Sequence, residues 1–154
     1  MTWFPQRVLL RVPLVACAAL LAVLSQPSCA ASCTISTTPV SFGIYNVFAM
    51  TPNNNGIGSL TIVCSTDAGN VALSTGQSNN YAARVMRSGA NPLTYNLYTS
   101  AARTTVWGDG SGGSRVMRAA EKATTIFSIY GQIPAGQDAA VGAYSDNIIA
   151  TVTF

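Results

Sequence analysis

From residue 33 to the last residue, apolar and polar side chains alternate in short runs. "LTIV" with Cys64 puts Leu60, Ile62 and Cys64 on one side, and "LTYNLYTS" (93–100) puts Leu93, Tyr95 and Leu97 together. A period of two is the mark of a strand with one buried face. The same pattern predicts strands over 33–46, 59–65, 71–75, 84–89, 93–100 and 124–133, a strand ending in a glycine-rich turn over 104–114, and a final strand from about Ala143 to Phe154. In that last strand Tyr144, Ile148, Ala150, Val152 and Phe154 point one way, and Ile149, Thr151 and Thr153 the other. Pro39 within the first run marks it as an edge strand or one that changes partner there. Between the runs lie turn formers: "FAMTPNNNGIG", "DAGN", "GQSNNYAA" and "WGDGSGGS". "VMRAAEKA" (116–123) is long enough for one helical turn. Short strands at turn-rich intervals without a long helical period predict an all-β sandwich in a single domain.

The first thirty residues read differently. Arg7 and Arg11 precede an apolar run from Val12 to Leu24, and "QPSCAA" brings small residues after it. This is the order of a secretory signal peptide, residues 1–30, with cleavage after Ala30 or Ala31. The run falls short of the ~20 residues a membrane-crossing helix needs. A cut after Ala18 is the weaker alternative, and Cys17 sits too close to Arg11 to suit a lipidated cysteine. The domain is then expected over residues 31–154.

Export changes what the composition means. Arg7 and Arg11 leave with the signal, so six basic residues face five acidic ones and the net charge of +3 carries no implication of nucleic acid. Only 8% of the residues are charged, so the surface must be built from Ser, Thr, Asn, Gln and Gly. Cys33 and Cys64 remain after cleavage, and two cysteines in an exported chain most simply form one disulfide.

Chemistry has few places to sit. There is no histidine, hence no Ser–His or Cys–His pair and no imidazole metal site. Asp67, Asp109, Asp138 and Asp146 fall in turn-like surroundings, and with Glu121 they show no spacing that suggests a hydrolytic pair. Asp109 in "WGDGSGG" is a weak calcium candidate. Tyr95, Tyr98, Trp107, Phe127 and Tyr130 fall on strands, where packing is the simpler role than a stacking platform. No catalytic residue, cofactor or metal ligand is expected, and no small-molecule substrate.

"SFGIYN", "LTIVCS", "LTYNLYTS", "TTVWGDG" and "IYGQIPAGQDAAVGAYSDNIIATVTF", in this order, resemble the spore coat protein U domain shared by the archaic, Csu-type chaperone–usher pilins. The resemblance runs from Cys33 to Phe154. It implies an immunoglobulin-like sandwich lacking its last strand, and a disulfide between Cys33 and Cys64. A partner would supply the missing strand beside the final one, against Ile148, Ala150, Val152 and Phe154. The partners so implied are a periplasmic pilus chaperone, an outer-membrane usher and other pilus subunits. The implied route is the periplasm and then a cell-surface fibre, with a role in adhesion and biofilm. Cleavage after Ala30 would leave no donor extension ahead of Cys33, which favours a strand acceptor.

Two further expectations compete with this one. A secreted coat or biofilm-matrix protein of the same fold would close its own groove, with "TTVWGDG" or the 49–57 loop. A carbohydrate-binding module would rely on an exposed aromatic such as Trp107.

Overall fold

The computed structural model describes residues 32–65 and 69–154. The expected signal peptide and Asp67 lie outside them. Eight strands are present among the described residues: β1 (Cys33–Ser41), β2 (Ile57–Cys64), β3 (Asn70–Leu73), β4 (Arg84–Ser88), β5 (Asn91–Tyr98), β6 (Met117–Arg118), β7 (Thr124–Gln132) and β8 (Ala150–Thr153). They form a five-stranded sheet in the order β1-β2-β7-β5-β4 and a three-stranded sheet in the order β6-β3-β8. Every pairing between these strands is antiparallel. This is the all-β, immunoglobulin-like sandwich that the sequence resemblance implies.

The alternation in the sequence becomes the two faces of the larger sheet. Leu60, Ile62 and Cys64 of β2, Leu93, Tyr95 and Leu97 of β5, and Phe127 and Ile129 of β7 are buried. Val71 and Leu73 of β3 meet them from the smaller sheet. The outward positions carry Ser59, Thr61, Thr124 and Ser128, together with the exposed Val63 and Ile126. Burying one apolar face per strand is what holds two such sheets together, at roughly 1.5–3 kcal/mol for each fully buried large side chain.

Trp107 and Arg84 tie the two layers. Trp107 is completely buried, stands edge-on to Phe127 with ring centroids 5.5 Å apart, and donates its indole N–H to the Val71 carbonyl at 2.9 Å. Arg84 is also completely buried. Its Nε and Nη2 donate to the Ser74 carbonyl at 3.0 and 2.8 Å, Nη2 to the Trp107 carbonyl at 2.7 Å and Nη1 to Asn96 Oδ1 at 2.7 Å. Its guanidinium lies 5.3 Å from the Tyr81 ring centroid. Burial lowers the Arg84 pKa, while the hydrogen bonds replace the lost water.

Several predicted elements differ. The first strand stops at Ser41, after a register shift between Thr38 and Ser41 that brackets Pro39. The glycine-rich turn that ends 104–114 forms, but the strand leading into it makes only isolated bridges, Tyr98 with Val106 and Trp107 with Arg115. The short, uncapped run at 116–123, long enough for one helical turn, contains instead the two-residue strand β6, which pairs with Asn70 and Val71. The final strand is regular only from Ala150, since residues 145–149 are held by side chains and loops.

Candidate functional site: an open seam between two edge strands

β1 and β8 each end a sheet, and among the described residues neither has a strand on its outer side. Cys33, Ile35 and Thr37 lie opposite Cys64, Ile62 and Leu60, so their side chains face inward. Even so, Ile35 keeps 40% of its surface exposed and Thr37 is exposed. Across the gap Ile148, Ala150 and Val152 are only half-buried. An inward-facing residue that stays wet means that the layer above it is incomplete.

The gap is a groove of about 380 Å³ between these strands. Thr37 and Val40 form one wall, and Ile148 and Ala150 the other. Leu60, Leu73, Met86, Leu97 and Ile129 make the floor. Among the described residues, the only charged one in its lining is Asp146.

The backbone edges are open as well. The Ser74 N–H donates to the Ile149 carbonyl at 2.9 Å, and β3 pairs with β8 in the register Val71 to Val152 and Leu73 to Ala150. Antiparallel alternation then turns the N–H and C=O groups of Ala150 and Val152 toward the gap. The Ser65 N–H donates to the Ser32 carbonyl at 2.9 Å, which by the same alternation leaves the backbone of Ile35 and Thr37 facing the gap from β1. Two hydrogen-bonding edges and an apolar floor together match an extended peptide, which satisfies backbone groups and buries alternate side chains at once.

The groove's depth is set by glycines in β7 and at the start of β2. A Cβ on Gly131 would lie 2.5 Å from Phe42 Cε1, and one on Gly56 would strike the same ring. Phe42 therefore lies flat on backbone and meets Tyr95 edge-on, with ring centroids 5.6 Å apart.

The β8 wall is pinned at its start by Asp146. Its carboxylate accepts the Tyr95 hydroxyl at 2.7 Å, the Gln77 N–H at 3.1 Å and the Asn147 N–H at 2.8 Å. Gly76, at φ +63°, is packed so close to that carboxylate that no side chain fits there. Burial first, and then the bond to Asp146, push the Tyr95 pKa up. Ser145 exchanges backbone hydrogen bonds with Arg87, and Ser74 Oγ accepts the Ile149 N–H at 2.9 Å.

Among the residues singled out from sequence, Ile148 and Ala150 line the groove and Val152 continues their row. Phe154 is 57% exposed. Cys33 and Cys64 are disulfide-bonded and tie β1 to β2 at one end of the seam. The groove floor and the Asp146–Tyr95 anchor were not singled out. The strand glycines Gly58 and Gly131 were the available signal, since glycine inside a strand marks close approach.

Other candidates dissolve. Trp107 has no exposed surface on which a sugar ring can stack. Asp109 uses Oδ1 to accept both the N–H and the hydroxyl of Ser111, which lowers its pKa. Among the described residues no group of three or more potential metal ligands surrounds it. Neither "TTVWGDG" nor the 49–57 loop contributes to the groove lining, so neither closes it.

The fold and its open seam define a class, the incomplete immunoglobulin-like sandwich. The Spore Coat Protein U domain family matches residues 18–151, and the chain belongs to that family. Protein U of Myxococcus xanthus is 32% identical over 109 residues, which span 64% of this chain and 60% of that protein. A crystal structure of the CsuC–CsuE chaperone–tip adhesion subunit pre-assembly complex, from archaic chaperone-usher Csu pili of Acinetobacter baumannii, has the same fold. The TM-score is 0.59 and the identity 22%, over 81% of this chain and 40% of the solved one.

Proposed function

We propose that this chain is an exported structural subunit or accessory protein of a chaperone–usher surface pilus, and that it works by accepting an extended strand of a partner chain between β1 and β8. The observation that carries this reading is the seam itself, with inward-facing side chains left half-covered between two unpaired backbone edges. A strand laid there would complete both sheets. The partners are a periplasmic chaperone, an outer-membrane usher and other pilus subunits. The chain would pass through the periplasm to the cell surface, where the fibre would serve adhesion and biofilm. The role is structural rather than catalytic. Ile148, Ala150, Val152 and Phe154 are the residues proposed to meet the incoming strand, and residues 31–154 the domain that remains after signal cleavage.

The test is co-expression in the periplasm with the chaperone of the same assembly system. A one-to-one complex is expected, lost on Ala150→Asp, which puts an unpaired charge on the groove wall. High yield of a stable, soluble monomer with no chaperone present would refute the proposal.

A second reading is a self-contained coat protein that does not polymerise. The higher identity to Protein U than to the pilus subunit favours it. It requires the isolated chain to be monomeric and indifferent to added strand peptides.

A further inference from the structure

Beside the groove lies a second, larger basin of about 880 Å³, between residues 40–48 and 139–144. The two hollows share Val40, Phe42, Met86 and Tyr144, so one runs into the other. Among the described residues no charged side chain lines the second one. Its rim carries three large apolar side chains with almost nothing covering them: Ile44 at 93%, Phe48 at 88% and Val141 at 106% exposure. Apolar groups clustered this way around a hollow mark a contact surface.

The walls are preformed at their base. Tyr45 donates its hydroxyl to the Pro134 carbonyl at 2.9 Å and accepts the Gln137 N–H at 3.0 Å, which ties the first wall to the segment leading into the second. Asn53 Nδ2 donates to the Phe42 and Ile44 carbonyls at 3.1 and 3.2 Å. A basin that is held open loses little freedom when it is filled.

We infer that the segment which fills the groove runs on past Tyr144 into this basin, so that the partner presents one continuous apolar stretch longer than β8. This rests on the strand-accepting reading above. The part beside β8 needs alternating side chains, because only one face of it meets the floor. In the basin the β1 edge ends at Val40 and Ser41, so beyond them the segment is recognised by bulky apolar side chains packed against Phe48 and Val141. The continuity of the two linings and the absence of charge favour a single extended apolar segment over two separate ligands.

The test uses the disulfide-bonded, exported chain and lysine-flanked synthetic peptides. One is an alternating Val/Thr peptide of about six residues. The others extend it, at either end, to about twelve residues with Leu and Phe added. One of the two extended peptides should bind at least about tenfold tighter than the short one. Phe48→Ser combined with Val141→Ser should abolish that gain and leave the short peptide's affinity unchanged.

Equal affinities for short and long peptides would overturn the inference while leaving the groove reading intact. So would a gain that persists in the double variant. Binding of none of the peptides would refute the groove reading itself, and this inference with it.

Discussion

Arg84→Met removes a buried cation but keeps a side chain of similar length. It deletes four hydrogen bonds onto three acceptors. Asn96 Oδ1 still accepts the Leu97 N–H at 2.9 Å, so its loss is partial. The Ser74 and Trp107 carbonyls lose their Arg84 donors inside the fold. Two stranded acceptors cost about 1–3 kcal/mol each. Relief from burying a guanidinium offsets part of this. The expected net loss is roughly 3 kcal/mol, on the order of 10 °C in Tm for a domain of this size. Urea denaturation of the disulfide-intact protein, with an unchanged m-value, gives the number directly.

The loss should also reach the groove. Ser74 holds Ile149 through its N–H and Oγ, so freeing the Ser74 carbonyl loosens the start of β8. Arg84→Lys offers a more compact donor set and should fall between the two. A destabilisation under about 1 kcal/mol for Arg84→Met would refute the account, because desolvation would then have cancelled the bonds.

Replacing Cys33 and Cys64 together by Ala opens a loop spanning 31 positions and should cost roughly 3.5–4 kcal/mol in the chain-entropy model, read from the shift in urea midpoint. Gly131→Ala sets a methyl against Phe42; it should cost about 1–3 kcal/mol by overpacking and alter groove-peptide affinity in the same preparation. Tyr95 has a folded pKa raised above its ordinary 10.0, so stability is level below that pH and falls above it, as the unfolded chain ionises first. Tyr95→Phe should flatten the alkaline limb of a stability–pH curve, and an unchanged slope would exclude Tyr95 as its source.

Much of the sandwich was legible before any coordinates. Period-two runs at 59–65, 93–100 and 124–133 became β2, β5 and β7, because alternation is a local property and one buried face enforces it. The cysteine pair and Pro39 were equally direct: the disulfide joins edge-strand neighbours, and the proline falls at a register shift on an unpaired edge. Three local patterns misled. Residues 104–114 read as a strand ending in a glycine-rich turn; the turn formed, but Trp107 is placed by inter-sheet packing and the strand is reduced to isolated bridges. Residues 116–123 carry helix-forming side chains, yet pairing with β3 won. The last strand shortened because Asp146 and Ser145 are claimed by Tyr95, Gln77 and Arg87.

What the sequence alone determined is the class of fold, the identity of most core residues, and the apolar row at Ile148, Ala150 and Val152. What only the tertiary structure decided is the open seam, its floor and the basin beside it. A strand's two faces are written in its own residues. Whether its edge has a neighbour depends on where β1 and β8 come to rest, and that is fixed by contacts between residues far apart in the chain.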